Sequence, residues 1–541
     1  MGGGPGIAGA VALDGQCGMT VESASALDTS APAGPVRLRD ATGERLVRCL
    51  VVMLLLGLAY ASTIFLPYAL NDENWIIRAS HWWARFDVRQ GRPLFSIAIF
   101  LTSQLRNVVG AAVIPVLRIG AIVGLAGAMA MVATWIEWWR FDRARAWLIV
   151  LVVASLPPFQ IYVTDATWIV IPFTASVAAV LLVCAAYHRS DRSLRLPSYV
   201  CAAAMWLCAL AFYQPAILIA IGLLIVPVLT ADVRDAASIR SVTTFAIFVT
   251  AFVASITLMY YVAWLILWRM LESANAPAYY SPLAVNAHAL SRLKYFFSDR
   301  LLQMLNLWHV DALRPTMSAW LVGLTALLGS AVDLVRAVRA GDPPAGVRRW
   351  AVKYALATGI LIASDAIPLL ASAPVPSYVT APALAFVVVF WAVHGVHEVA
   401  RCSPVALRAF TASLVALAVF GLFMAEYTTL TYFAVPLSLE YGLVRGEVIE
   451  YVRTHPTVHR IHVVGRKVPL LNHGLHEFGW SNATFDVYTR DMVKNVLDEI
   501  GAAADVDVTV SETLATALPS VEPPSADTAL VIDLSRIHIA R

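Results

Sequence analysis

The sequence predicts a polytopic α-helical membrane protein followed by a small C-terminal α/β segment. Of its 541 residues, 59% are hydrophobic and 14% charged, whereas soluble domains average roughly 45–50% and about 25%. Charge is also unevenly distributed, because Asp, Glu, Lys and Arg make up about 11% of residues 46–436 and about 22% of residues 437–541. These observations exclude a soluble globular enzyme and a disordered chain.

Apolar runs of spanning length indicate about eleven transmembrane helices, because a hydrocarbon core of about 30 Å requires about 20 apolar residues per helix. They are predicted near residues 47–68, 109–134, 146–163, 168–187, 198–213, 214–230, 241–267, 317–338, 354–371, 382–400 and 409–431.

Three regions follow from this pattern. Residues 1–45 are rich in Gly, Ala and Ser and have no Lys or Arg before Arg37, which is typical of a disordered cytoplasmic tail rather than a cleavable signal. Residues 46–436 form the membrane domain. Residues 437–541 are predicted to contain helices at 445–455 and 489–501 and strands in RIHVVG, DVTVS and ALVIDLS.

Orientation is predicted from the basic residues of the short loops, which remain inside. Arginines cluster near residues 140–145, 189–195, 336–349 and 401–408, whereas the loops 164–167 and 372–381 contain no Lys or Arg. The N-terminus is therefore expected inside, and an odd number of spans places the C-terminal segment outside. The net charge of +3 includes no dense basic patch, so nucleic acid is not an expected partner.

Two long outer loops, 69–108 and 269–316, carry cations despite this rule. Arg and Lys bind phosphate groups well, Arg in a bidentate manner. Arg78, Arg92, Arg292 and Lys294 are therefore candidates to meet an anion at the outer surface, with lipid headgroup binding as the alternative for each.

An acidic pair directly follows the first predicted span. Asp72 and Glu73 lie in NDENW (71–75), where a lowered dielectric can tune a carboxylate to act as a general base. The alternative is helix capping, with Asn71 or Asp72 as the N-cap.

Arg118 lies within the second predicted span, in PVLRIGAIVG. A charge at the centre of a membrane helix costs about 2.5–3.5 kcal/mol on insertion scales, so we expect Arg118 to face the bundle interior and to have a partner. Asp365 and Glu426 are acids within other spans. A structural ion pair and a buried phosphate ligand are both compatible with this position.

Histidines occur twice in an H-x-x-H-E arrangement, as His394, His397 and Glu398 and as His473, His476 and Glu477. This differs from the H-E-x-x-H spacing of zinc proteases. We therefore predict no metal site; a divalent metal is possible for the protein but is not indicated.

Three motifs together resemble a known group of enzymes. NDENW after the first span, GRPL (91–94) and YQPA (213–216), with the long first outer loop, resemble the GT-C superfamily of membrane glycosyltransferases. They are most similar to the Gtr-type glucosyltransferases that modify O-antigen.

The resemblance implies transfer of a sugar, such as glucose, from a polyprenyl-phosphate carrier to a lipopolysaccharide O-antigen or another surface glycan or lipid-linked acceptor. It implies a bacterial inner membrane location with the C-terminal domain in the periplasm. Asp72 would be the catalytic base and Glu73 its neighbour or substitute. Asp165 in FQIYVTDATW would be a second acid, although a turn or capping role is the plain alternative.

Two other functions fit the same composition. A transporter or flippase for a lipid-linked glycan would also have many spans and internal charges, and an O-antigen polymerase or ligase would share substrates and compartment. The absence of an evident repeat and the clustering of marked residues at the outer surface favour the transferase.

Overall fold

A computed structural model describes the fold. The described residues are 42–66, 68–69, 73–74, 91–139, 141–164, 167–189, 193–271, 289–310, 312, 314–340, 342–370, 377–455, 460–465, 478, 481–484, 486–502, 506–511 and 530–536.

The first half of the described chain is almost entirely helical. Its α-helices are α1 (Thr42–Ala59), α2 (Ala61–Phe65), α3 (Pro93–Val109), α4 (Val113–Trp138), α5 (Arg143–Ala154), α6 (Pro157–Thr164), α7 (Val170–His188), α8 (Arg195–Phe212), α9 (Leu218–Gly222), α10 (Ile225–Thr230) and α11 (Ala236–Leu271). Short 3-10 segments lie at Gly110–Ala112, Thr167–Ile169 and Gln214–Ile217.

The second half adds helices and a small sheet. Its elements are α12 (Ala289–Tyr295), α13 (Leu301–Leu305), α14 (Met317–Val338), α15 (Pro343–Ala363), α16 (Ala366–Leu370), α17 (Pro382–Ala400), α18 (Pro404–Thr429), α19 (Val435–Thr454), β1 (Arg460–Val464), α20 (Asp486–Glu499), β2 (Asp507–Ser511) and β3 (Leu530–Asp533). π-Helical turns lie at Phe296–Arg300 and Leu430–Ala434, and 3-10 turns at Tyr378–Thr380, Asn482–Thr484 and Leu534–Arg536.

The prediction of a polytopic helical membrane protein is confirmed at this level. Within the described ranges, seven helices are long and apolar enough to cross a membrane, and eight if one bent pair is a single span. Trp320, Leu324 and Leu327 on α14 remain 72%, 63% and 70% exposed. Apolar side chains exposed in such numbers on one helix are expected where the solvent is lipid.

The bent pair consists of α5 and α6, which meet at 66°. The sequence predicts one span over residues 146–163, but Pro157 and Pro158 begin α6. Proline removes a backbone donor and clashes with the preceding turn, so it bends or ends a helix.

The last membrane helix continues beyond the apolar region. Residues Pro404–Thr454 form one helical run of 51 residues through α18, the π-turn and α19. The domain boundary predicted after residue 436 therefore falls inside a continuous helix. Its final turns contribute Val444 and Val448 to a second apolar core, separate from the large core of the bundle.

Around that second core lies a three-stranded parallel sheet with the order β2-β1-β3. The strands lie where their apolar alternation predicts them. Helix α20 adds Met492, Val493 and Val496 to the core of this sheet. Parallel strands need crossover connections, so the chain must return to the same end of the sheet between successive strands.

Candidate outer-loop site

The centre of the candidate site is a buried ion pair between α4 and the segment that is predicted to form the first outer loop. Arg118 Nη2 lies 2.6 Å from Glu73 Oε2, and Arg118 Nε donates to Glu73 Oε1 at 3.3 Å. The two side chains are only 1% and 3% exposed. The partner of Arg118 is therefore neither Asp365 nor Glu426, the two acids that the sequence makes available within spans.

Arg118 also joins three backbone segments. Its guanidinium donates to the carbonyl oxygens of Thr63 at 2.7 Å, Tyr68 at 3.3 Å and Thr164 at 3.4 Å. The Tyr68 ring centroid lies 3.8 Å from its Cζ, a cation–π geometry. Arg118 thus fixes the end of α2, the start of the first outer loop and the end of α6. This arrangement favours the ion-pair role over phosphate binding.

Three buried asparagines form a hydrogen-bonded group beside Glu73. Asn74 donates to Asn482 Oδ1 at 3.0 Å, and Asn482 donates to the Ala69 carbonyl at 2.8 Å. Asn495 on α20 donates to the Asn74 carbonyl at 3.1 Å. All three asparagines are at most 6% exposed. The first outer loop is therefore hydrogen-bonded directly to the C-terminal segment.

Two of the sequence motifs meet at a further junction. Arg92 Nε donates to Gln214 Oε1 at 3.3 Å, and its Cζ lies 5.0 Å from the Tyr213 ring centroid. Gln214 Nε2 and Tyr260 Oη both donate to the Gly91 carbonyl at 2.8 Å. The GRPL and YQPA motifs, 122 residues apart, thus form one half-buried cluster in which Arg92 is the cation.

Gly91 is required at this junction by its backbone and by its surroundings. Its φ of +75° lies in the left-handed region, which costs a residue with a Cβ extra energy. An added Cβ would also lie 2.8 Å from the Trp264 ring. Glycine at position 91 therefore permits the close approach of the Trp264 ring.

The remaining predicted cations are arranged differently. Arg292 is buried and Lys294 is exposed on the short helix α12, so the two side chains do not form one surface. Asp72, Asp165 and Arg78 lie outside the described residues. Their described neighbours Glu73 and Thr164 both contact Arg118, which places the chain immediately after residue 72 beside the chain immediately before residue 165.

A second buried ion pair has no counterpart in the sequence-based expectations. Arg300 donates to both carboxylate oxygens of Asp365, at 3.0 and 2.8 Å, and both side chains are fully buried. It also donates to the Ser377 carbonyl and to Thr380. The signal available in the sequence was Asp365 itself, because an acid within a membrane helix needs a partner.

Glu426, the other acid within a span, has a different role. Its carboxylate accepts hydrogen bonds from the Ser62 backbone N–H at 3.3 Å and from Ser62 Oγ at 3.1 Å. It therefore holds the start of α2 against α18. Glu426 and Arg118 together position the helical turn from which the first outer loop departs.

For a metal, the described part of the chain offers one group of at least three ligand side chains: His394, His397 and Glu398 on α17. They are separate from the residues of the outer-loop site.

Comparisons of the chain with protein families, with curated proteins and with solved structures find no match. The class that the geometry itself defines is a polytopic helical membrane protein in which a buried arginine of α4 holds Glu73.

Proposed function

We propose that the protein is an integral-membrane glycosyltransferase of the GT-C type, which transfers a sugar from a polyprenyl-phosphate carrier to a glycan or lipid-linked acceptor. In this proposal the chain has eleven spans and lies in a bacterial inner membrane, with the N-terminus in the cytoplasm and residues 437–541 in the periplasm. The Gtr-type O-antigen glucosyltransferases are the group that its motifs resemble, and glucose is the first sugar to test.

The observation that carries the proposal is the environment of Glu73. A catalytic base must be held in a defined position, and the bidentate ion pair of Glu73 with Arg118 anchors the chain next to the proposed base. Both oxygens of Glu73 are bonded to Arg118, so Glu73 is poorly suited to accept a proton from a substrate. We therefore assign Glu73 a positioning role and its neighbour Asp72 the role of base.

The second acid of the proposal is Asp165. Arg118 binds the carbonyl of Thr164, the residue directly before it, as well as Glu73. One side chain thus controls both chain segments that carry the proposed acids. In the proposal Asp165 assists by orienting the acceptor hydroxyl.

The reaction assigned to this site is a direct displacement. The acceptor oxygen attacks the anomeric carbon as Asp72 withdraws the hydroxyl proton, and the carbon–oxygen bond to phosphate breaks. The bond electrons leave with the polyprenyl phosphate, whose added negative charge must be stabilised. Inversion at the anomeric carbon follows from a single displacement.

Arg92 is the cation that we assign to the departing phosphate. Gln214 and Tyr213 hold its guanidinium at the edge of the bundle, and its side chain is half-buried rather than fully enclosed. Arg78 and Lys294 remain candidates for additional phosphate contacts. Arg292 is less suited because it is buried, and Arg118 because its donors are bound to protein groups.

The C-terminal segment is assigned the acceptor side of the site. Its asparagines bind the first outer loop next to Glu73. Arg106 on α3 forms a further ion pair with Asp498 at 3.3 Å. A segment so closely attached to the proposed catalytic loop is suited to hold an acceptor near it.

The test is transfer by the purified full-length protein in detergent. Given polyprenyl-phosphate carrying a radiolabelled sugar together with candidate glycan acceptors, the protein should form labelled product. The matched measurement reconstitutes the same protein in vesicles and follows movement of the labelled lipid between leaflets. Lipid movement without any new glycosidic bond would contradict the transferase and would indicate a flippase.

A further inference from the structure

A buried cluster lies near the C-terminal end of α17, which the proposed orientation places on the cytoplasmic side. His394, His397 and Glu398 each offer one ligand atom, and these atoms all lie within 4.8 Å of one another. Positions i, i+3 and i+4 of a helix share one face, so the helix itself brings the three side chains together. All three are at least nine-tenths buried.

The imidazoles lack the partners that buried polar groups normally have. Within the described part of the chain, neither ring nitrogen of His394 has a hydrogen-bond partner, and Nδ1 of His397 has none. His397 Nδ1 lies 3.6 Å from Glu398 Oε1, which is too long for a hydrogen bond. Buried polar groups without partners are rare and call for an explanation, and a bound ion is one that fits imidazole nitrogens.

The surroundings of Glu398 resemble the outer shell of a metal site. Arg336 donates to Glu398 Oε2, and Arg401 donates to Oε1 at 3.2 Å. Carboxylates that bind metals are commonly hydrogen-bonded by neighbouring groups, which orient them. The positive charge of Arg336 is shared with Asp333, 3.6 Å away, and Arg401 is 56% exposed to the surroundings.

Packing on both sides fixes the helix that carries the cluster. The Phe141 ring centroid lies 4.6 Å from that of His397, and the Phe410 centroid lies 5.7 Å from it. On another side, Gly395 contacts α14 closely at Gly329. The aromatic rings and the close helix crossing hold the two imidazoles in place, which favours metal binding by a small set of ligands.

We propose that His394, His397 and Glu398 bind a first-row divalent transition metal, with Zn²⁺ as the reference ion. Two neutral imidazoles and one carboxylate are ligands that Zn²⁺ accepts, at about 2.0–2.2 Å each. Ligand atoms around such an ion stand closer together than 4.8 Å, so binding draws the three side chains inward by small rotations. Three protein ligands leave one position for water.

This site revises the interpretation of the H-x-x-H-E pattern. Comparison with H-E-x-x-H alone rejects it, because the order of residues differs. The physical requirement is a shared helix face, and the i, i+3, i+4 spacing meets it as well. The second copy of the pattern, His473, His476 and Glu477, lies outside the described residues and serves as the sequence-matched control.

The test uses the full-length protein, purified in detergent through a tag without histidines. After loading with Zn²⁺ and removal of free ion, elemental analysis should give about one Zn²⁺ per chain, the stoichiometry of a single site. His394→Asn and His397→Asn should each lower Zn²⁺ affinity by at least about tenfold. His309→Asn, at an exposed position, and the double variant His473→Asn/His476→Asn should bind as the wild type does.

X-ray absorption at the zinc edge provides a measurement on the unmutated protein and does not depend on the variants folding. It should show two imidazole ligands, oxygen ligands and no sulfur. Absence of bound Zn²⁺ from the wild type, a sulfur ligand, or loss of Zn²⁺ only in the His473/His476 variant would overturn the proposal. None of these outcomes bears on the transferase assay, so the two proposals fail or succeed separately.

Discussion

Arg118 joins more than one element of the described bundle through a single buried side chain. It donates hydrogen bonds to the Glu73 carboxylate and to three backbone carbonyls at once. Taking a charge into the membrane interior is costly, and this cost is offset only if all partners remain. Removing one partner leaves the other charge buried without compensation, which is more damaging than removing both.

Arg118→Gln should therefore lower the free energy of unfolding by about 3–5 kcal/mol. The double variant Arg118→Gln/Glu73→Gln should lose less than the two single variants added together, because neither charge is then left unpaired. Thermal unfolding in a fixed detergent measures all three. If the losses of the two single variants add up to the loss of the double variant, the two side chains do not interact and the assigned ion pair is wrong.

At this scale the sequence predicts burial and pairing of Arg118 but not the identity of its partner. Glu73 belongs to a loop, and the pairing depends on the loop folding back onto the bundle. The same holds for Arg300 and Asp365, which are 65 residues apart. Pairing across such distances depends on tertiary structure, which no local pattern encodes.

Among the helices, the crossing of α14 and α17 depends on two small residues. Helices α14 and α17 cross where Gly329 meets Gly395. A Cβ on Gly329 would lie 2.5 Å from Gly395 Cα, and a Cβ on Gly395 would lie 2.0 Å from the Thr325 carbonyl oxygen. Small residues at membrane helix crossings permit such close approach of backbones.

Gly329→Ala should destabilise the protein by about 1–3 kcal/mol, because the added methyl forces the helices apart. Gly323→Ala is the control on the same helix, since nothing lies within 4 Å of its added Cβ. It should be neutral or slightly stabilising. Equal melting temperatures for the two variants would show that the crossing is not tight.

The small sheet should respond to acid through His462 in its central strand. His462 is buried between Thr509 and Ser511 of β2, and burial lowers its pKa below the usual value. The unfolded state therefore takes up a proton first as the pH falls. The contribution of neutral His462 to the stability of the sheet is fully present above about pH 6.5 and is lost progressively below it.

Hydrogen exchange of the β1 amides at about pH 7.5 and about pH 5.5, corrected for intrinsic rates, measures this loss. His462→Gln should reduce the pH dependence, because the amide does not titrate in this range. His455→Gln alters an exposed histidine and should leave the dependence unchanged. Unchanged dependence in His462→Gln would contradict the assignment.

Elements themselves were largely predictable from the sequence, because apolar length and strand alternation are local signals. The eight candidate spans fall on predicted segments, and α1, the run from Gln214 to Thr230 and α15 with α16 fall on the other three. The bend at Pro157 and the continuation of the last span to Thr454 were not predicted. Hydropathy reports where lipid contact ends, not where a helix ends.

For the molecule as a whole, the membrane orientation is the prediction on which the proposed chemistry depends. Cys402 lies exposed after α17, and Asp507 lies exposed on β2. In cells whose inner membrane is intact, a membrane-impermeant maleimide should label Asp507→Cys but should reach Cys402 only after permeabilisation. The reverse pattern would place the first outer loop in the cytoplasm and contradict the proposal.

The candidate site is less predictable than the fold. Three motifs indicate a first-loop acid, and the structure adds that GRPL and YQPA meet and that Glu73 is bound by Arg118. The pairing of Glu73 with Arg118 depends on tertiary contacts, and the proposal of Asp72 as the base follows from its place beside Glu73 in the motif.

Single-turnover transfer by Asp72→Asn tests the central claim most directly. Loss of a general base should slow the chemical step by at least about 100-fold, while membrane insertion, melting temperature and donor binding stay close to wild type. Asp507→Asn, an exposed acid of the sheet, should transfer at the wild-type rate. Wild-type turnover in Asp72→Asn would contradict the account.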